Sequence, residues 1–129
     1  MRDEFLSRLV AHLFYLMEKL PKVSWLDIFL LLVGRRKRFC VEGNSMLPTL
    51  KNGDVVLVNP QAKLKQGDIV LANHPYKKSV KILKRIKEFT DNGDLFLIGD
   101  NAGDSTDSRT FGAVSLKYII GKVTCHLSK

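Results

Sequence analysis

The sequence predicts a mainly β fold: a coiled antiparallel β-sheet domain preceded by an N-terminal helical segment. Three observations carry this. From Phe39 onward, short β-rich runs alternate with turns rich in Gly, Asp and Asn. Before them, residues 5–33 carry apolar side chains at helical spacing. And 129 residues suffice for one hydrophobic core but not for two full domains. The expected organisation is residues 1–38 as an apolar, amphipathic helical segment ending in a basic junction, then residues 39–129 as the β-domain.

In the first segment Phe5, Leu6, Leu9, Val10, Leu13, Met17 and Leu20 share one helical face, with Arg8, His12, Tyr15, Glu18 and Lys19 on the other. Pro21 breaks the pattern. A second piece starts at Ser24, with Asp27 as a capping-box-like partner, and runs to Val33 before Gly34 as C-cap. A bilayer crossing needs about 20 mostly apolar residues. Glu18, Lys19, Pro21, Lys22 and Asp27 interrupt any such window. Two readings stay open: a helical pair at the membrane interface, with Trp25 and Arg35-Arg36-Lys37-Arg38 at headgroup level, or a pair packed on protein.

The expected strands are Val55–Val58, Ile69–Ala72, Val80–Phe89, Leu95–Ile98 and Ile119–Leu127, the last with a short helical turn as an alternative start. Turns fall at Lys51-Asn52-Gly53-Asp54, Gln66-Gly67-Asp68 and Asp91-Asn92-Gly93-Asp94. The third is a hairpin signal, because Asn-Gly accepts positive φ. No internal repeat is evident.

Composition sets limits without choosing a function. Its 45% hydrophobic and 26% charged residues are those of a folded protein. The 21 Lys+Arg against 13 Asp+Glu give +8, which suits an anionic membrane surface, a nucleic acid or an acidic partner. Cys40 and Cys125 are far apart, and His12, His74 and His126 are scattered, so neither a disulfide framework, a metal nor a cofactor is expected.

Three stretches carry chemistry. In Val41-Glu42-Gly43-Asn44-Ser45-Met46-Leu47-Pro48-Thr49-Leu50, the Gly and Pro around Ser45 predict a bent backbone that presents a hydroxyl and aims amides at an oxyanion. In Ser79–Lys87, strand alternation places Lys84 with Val80, Ile82 and Ile86, and Lys81, Arg85 and Lys87 on the opposite face. Leu83 breaks this alternation. A lysine with an ordinary pKa pays roughly 4.6 kcal/mol to be neutral at pH 7. Burial lowers that cost and makes a general base. The third stretch, Gly99 through Arg109, holds three hydroxyls, three carboxylates and an Arg in eleven positions; solvent exposure is the default for such a loop.

In this order the three stretches resemble the signal peptidase I family of Ser/Lys proteases. Asn44-Ser45-Met46-Leu47-Pro48-Thr49-Leu50 is similar to its nucleophile box, Gly67-Asp68-Ile69-Val70 and Lys84-Arg85 to the strand and base boxes, and Gly99-Asp100-Asn101 with Ser105, Asp107, Ser108 and Arg109 to its last box. The resemblance implies a catalytic β-domain in which Ser45 is the nucleophile and Lys84 the base. It also implies that Ser105 orients the Lys84 amine, that Asp107 and Arg109 form a supporting ion pair, and that the Ser45 N–H serves the oxyanion hole. Gly43 departs from members that carry a hole-completing Ser there, which leaves the second donor open. Within the family the chain resembles short nickel-type superoxide dismutase maturation proteases, through Gly34-Arg35-Arg36-Lys37-Arg38-Phe39 and Asn73-His74-Pro75-Tyr76.

The function so implied is removal of an N-terminal leader from a precursor protein, nickel-type superoxide dismutase in the first instance, in the cytoplasm or peripherally at the cytoplasmic membrane. The alternative within proteases is a general signal peptidase acting on exported proteins. The alternative of another class is a nucleic-acid-binding, repressor-like module. The leading residues are too few and too apolar for a DNA-binding domain, so no nucleic-acid partner is expected.

Overall fold

The structure, a computed structural model, describes residues 7–11, 25, 26, 29 and 34–127. Within the N-terminal segment, residues 7–11, 25, 26 and 29 are helical, and Val10, Trp25, Leu26 and Phe29 are exposed. The break at Pro21, the Ser24–Asp27 cap and most of the amphipathic face lie outside the described residues. Gly34 has φ +78°, the left-handed conformation that ends helices. No helix among the described residues is long and apolar enough to cross a membrane.

Six strands follow: β1 (Lys37–Cys40), β2 (Val55–Asn59), β3 (Ile69–Asn73), β4 (Lys81–Phe89), β5 (Leu95–Ile98) and β6 (Ile119–Leu127). They form one antiparallel sheet in the order β1-β2-β6-β3-β4-β5. Each predicted strand is present, and a 3-10 turn at Leu116–Tyr118 leads into β6, so both readings of that region hold. The first strand is the addition: Lys37 and Arg38, read as junction, already pair with Val58 and Leu57.

Apolar side chains pack in two clusters. Val41, Met46, Leu50, Val56, Val58, Leu71 and Leu83 make the first. Val70, Ala72, Ile86, Leu95, Leu97 and Val114 make the second. β3 supplies Leu71 to one and Val70 and Ala72 to the other, so its unbroken apolar run reflects burial on both faces. The same fact explains Leu83, which broke the expected alternation in β4: it packs in the first cluster, Ile86 in the second. Val80 precedes the strand and is exposed.

Two turns repeat one another. Leu50-Lys51-Asn52-Gly53-Asp54 precedes β2, and Leu64-Lys65-Gln66-Gly67-Asp68 precedes β3. Gly53 and Gly67 have φ +92° and +93°. In each turn the Asp N–H donates to the Lys carbonyl (3.0 and 3.1 Å) and the Lys N–H donates to the Asp Oδ2 (3.0 and 2.9 Å). Both carboxylates are buried. The expectation of no internal repeat is therefore corrected; the unit is one turn and one strand, shorter than a repeat search by domain-sized periods detects. At Thr90–Asp94 the hairpin is present, but Gly93 alone takes positive φ (+83°), as a turn closed by Gly93 N–H to the Thr90 carbonyl (2.9 Å).

Candidate active site

Ser45 stands on the β1–β2 connection. That connection is closed at its base, where Val41 N–H donates to the Asp54 carbonyl (2.7 Å) and Gly53 N–H to the Val41 carbonyl (2.8 Å). Met46 and Leu50 are buried in the first cluster and anchor the loop, and Ser45, just before Met46, is half-buried. Gly43 has φ +82°, and a Cβ there would meet nothing within 4 Å. Space is free at this position, but the backbone conformation is one that a serine adopts only under strain. The Gly43 N–H is taken by Asn52 Oδ1 at 2.8 Å. Among the described residues neither the Ser45 N–H nor its hydroxyl makes a hydrogen bond, so both remain available.

Lys84 lies in the middle of β4, opposite Val70, and is only 5% exposed. Burial lowers its pKa below the usual lysine range, and Arg109 adds to this, while Asp107 and Asp104 oppose it. Its Nζ donates to Ser105 Oγ at 3.2 Å, and the Ser105 hydroxyl in turn donates to Asp107 Oδ2 at 2.7 Å. This direction matters. A serine has one proton, and with that proton committed to Asp107 its oxygen accepts from Lys84. A neutral Lys84 bonded in this way keeps its lone pair free to point elsewhere.

Asp107 is fully buried. It accepts from the Gly99 N–H (2.8 Å), the Ser105 hydroxyl, and the Arg109 Nε (2.9 Å), Nη2 (2.5 Å) and N–H (3.1 Å). Burial alone would raise its carboxyl pKa, but these donors together outweigh burial and hold it far below the usual carboxylate range. It also caps α1 (Ser108–Phe111). The loop read as solvent-exposed is thus partly interior: Ser108 is buried too, its Oγ accepting from the Leu97 N–H at 2.9 Å. A bridge between Leu95 and Val114 completes the cover of the β5 edge.

The three stretches converge. Asn101 N–H donates to the Ser45 carbonyl (2.8 Å) and its Nδ2 to the Asn44 carbonyl (3.0 Å). Gly99 sits in the contact: a methyl group there would overlap Ser105 Oγ and come within 2.6 Å of the Ser45 carbonyl oxygen. Ser45 and Lys84 line one cavity of about 110 Å³, with Phe39, Val41, Glu42, Met46, Lys81, Ile82 and Leu83. Lys84 is bonded to Ser105 and not to Ser45 in this arrangement.

Sequence reasoning gave no role to a second network. Arg85 makes a two-point contact with Asp100, Nε to Oδ1 (2.8 Å) and Nη2 to Oδ2 (2.7 Å), and its Nη1 donates to the Gly67 carbonyl (2.8 Å). Asp100 Oδ2 also accepts from Thr49 Oγ1 at 2.5 Å. The Ser45 loop is therefore clamped to β4 through Asp100. Arg85 lowers the Asp100 pKa, burial opposes, and Thr49 lowers it further. The signal was present in Lys84-Arg85, since a cation next to a buried lysine in a strand must turn to the opposite face and find a partner there.

Comparison with known proteins agrees with this architecture. The family model described as Peptidase S24-like matches residues 28–124. The chain is also similar to mitochondrial inner membrane protease subunit 1 of Xenopus tropicalis, 33% identical over 104 residues, covering 63% of this chain and 62% of the relative. It thus spans less than two thirds of that relative's length.

Proposed function

We propose that this chain, which belongs to the Peptidase S24-like family, is a serine endopeptidase in which Ser45 is the nucleophile and Lys84 the general base. The observation that carries the reading is the shared cavity: Ser45 and the buried Lys84 line the same walls, and among the described residues the hydrogen bond made by that amine runs to Ser105.

In this mechanism the neutral Lys84 amine takes the Ser45 proton as Oγ bonds to the scissile carbonyl carbon. The oxygen of the tetrahedral intermediate takes the negative charge and accepts from the Ser45 N–H. Collapse breaks the carbon–nitrogen bond, and the Lys84 ammonium gives its proton to the departing amine. Lys84 then takes a proton from water, whose oxygen attacks the ester, and returns it to Ser45 Oγ as the acid leaves. Ser105, fixed by Asp107, holds one amine N–H throughout and so aims the lone pair. Gly43 supplies no hydroxyl, so one donor of the oxyanion hole comes from another group, and removing a single such donor costs about 10²–10³ in rate.

The substrate is read as a precursor with an N-terminal leader, and the specific reading is nickel-type superoxide dismutase. Its support is the sequence resemblance around residues 34–39 and 73–76. The latter forms a compact loop in which His74 Nδ1 accepts from the Tyr76 and Lys77 N–H groups, both at 3.1 Å. A general signal peptidase at the membrane is the second reading, favoured by the name of the inner membrane relative and by the exposed Trp25, Leu26 and Phe29. In that reading, residues 5–38 supply a peripheral contact.

Ser45→Ala and Lys84→Met each abolish cleavage, to below about one part in 10³ of the parent rate, while circular dichroism stays native. The assay is incubation with a superoxide dismutase precursor and with an exported precursor, the new N-terminus being read by mass spectrometry. Full activity in either variant refutes the dyad; cleavage of the exported precursor alone refutes the specific substrate.

A further inference from the structure

The cavity at Ser45 is walled by Phe39, Val41 and Glu42 on one stretch and by Lys81–Lys84 on another, and the chain leading into these walls, 34–41 and 73–80, contains no aspartate or glutamate. Lys37 and Arg38 are exposed on the first, and Lys77, Lys78 and Lys81 on the second. Lys81 is itself part of the cavity wall, where Glu42 is the one carboxylate among the lining residues. Pairing with carboxylates is partial among the described residues, and Lys51, Lys63, Lys65, Lys87 and Lys117 lack such a partner as the cations of this region do. Arg85, Arg109 and Lys122 each have a carboxylate partner, in Asp100, Asp107 and Asp68. Among the described residues none pairs with Lys77, Lys78 or Lys81. Lys81 in the cavity wall, with Lys77, Lys78, Lys37 and Arg38 exposed on the chain leading to it, leaves a positive potential for whatever enters.

The backbone says how a ligand would meet that potential. Lys81 pairs with Asn73 of β3 on one side, while on the other β5 ends at Ile98, opposite Arg85. Lys81–Lys84 therefore offer a free edge to an extended chain. A side chain opposite Lys81 lies three residues, about 10 Å, from the one over Lys84. The acyl half of a substrate stays attached to Ser45 after the amine leaves, and it is this half that the wall holding both Ser45 and Lys84 must grip.

We infer that the cleft selects an acidic peptide, one with an Asp or Glu about three residues on the acyl side of the scissile bond, its carboxylate set against Lys81. The inference rests on the Ser45–Lys84 reading and adds its substrate class. A lipid surface would also attract Lys37, Arg38, Lys77 and Lys78, but Lys81 lines a cavity between strands, where a peptide reaches and the face of a bilayer does not.

The test uses the full chain and a synthetic peptide library, with cleavage positions read by mass spectrometry. It is followed by three matched peptides carrying Asp, Ala or Lys at the third position on the acyl side. The expected Asp-to-Lys ratio of kcat/KM is on the order of tenfold and shrinks as salt is added. Lys81→Gln brings it toward one, and Lys81→Glu inverts it. Because each ratio compares two peptides on one enzyme sample, partial loss of folded protein cancels. A wild-type ratio near one overturns the inference and leaves the dyad standing. A ratio that Lys81→Glu does not change overturns the assignment to Lys81. Binding to phosphatidylglycerol vesicles that is lost in Lys81→Glu, with a peptide ratio near one, gives these cations to lipid and overturns it as well. No cleavage of any library peptide refutes the peptidase reading, and the inference with it.

Discussion

Two aspartate–arginine pairs flank the proposed dyad, and they share chemistry while differing in depth. Asp107 meets Arg109 from a fully buried position, and Asp100 meets Arg85 with its side chain 14% exposed. Asp107 spends its oxygens on the base side, on Ser105 and the Gly99 N–H as well as Arg109. Asp100 spends its oxygens on the nucleophile side, joining Thr49 of the Ser45 loop to Arg85 of β4. The lesson is one of division. The deep carboxylate sets the direction of an amine, and the shallow one sets the distance between two chain segments. In each pair the arginine is the more exposed partner, side chains 32% and 42% exposed, so water shares the charge of the cation but not that of the deep carboxylate.

Removing Asp107 tests the deep half and gives the largest effect. Asp107→Ala leaves the Gly99 N–H buried and unmatched and frees the Ser105 hydroxyl to turn. Losing hydrogen bonds to a buried charged acceptor costs about 3 kcal/mol. In a domain of this size that lowers the melting temperature by roughly 10 °C. Cleavage falls further than stability explains, because Ser105, the acceptor that aims Lys84, is no longer held in place. Calorimetry with kcat measured well below the transition separates the two. If kcat per folded molecule is unchanged, Asp107 is a structural anchor and the division fails.

The shallow half responds differently. Asp100→Ala and Thr49→Ala each weaken a partly solvated link, at about 1 kcal/mol. They also relax the placement of Ser45 against Lys84, and cleavage drops about tenfold, in kcat more than in KM. The double variant is the sharper measurement. Thr49 and Asp100 share one hydrogen bond, so the pair loses little more than Asp100→Ala does alone. Full additivity would show that they act on separate features.

The legibility of the site in the sequence follows the same division. Ser45, Lys84, Ser105, Asp107 and Arg109 were readable because each lies inside a short motif whose order along the chain is itself the clue. The Asp107–Arg109 pair is two residues apart and local in sequence. Asp100 meets Arg85 and Thr49 across 15 and 51 residues, and the local pattern says at most that Arg85 turns away from Lys84, not which carboxylate it meets. The Arg85–Asp100 meeting follows from the β4–β5 hairpin, whose register puts Arg85 opposite Ile98, whereas Thr49 reaches Asp100 although β2 and β5 are far apart in the strand order, which no periodicity reveals. Strand positions were legible because Gly turns punctuate them. Which face each strand buries was not, because alternation assumes one wet face throughout, and β3 is buried on both faces at Val70–Ala72 while β4 buries the neighbours Leu83 and Lys84.

Acid offers the smallest and most selective way to weigh the two carboxylates. Both have folded pKa values below the ordinary 3.8, Asp107 by far the more. A carboxyl depressed by folding binds its proton first in the unfolded chain, so its stabilisation is complete above the unfolded pKa and is lost as pH falls below it. For Asp107, held far below the usual carboxylate range in the folded state, lowering the pH from about 4 to about 3 removes on the order of 1 kcal/mol. Asp100, less depressed, loses less. Urea midpoints measured across this interval should therefore fall less steeply for Asp107→Asn than for the parent chain, with Asp100→Asn between them. If Asp100→Asn flattened the profile more than Asp107→Asn, the deeper carboxylate would not be the more strongly held, and the ordering drawn from burial and donor count would reverse.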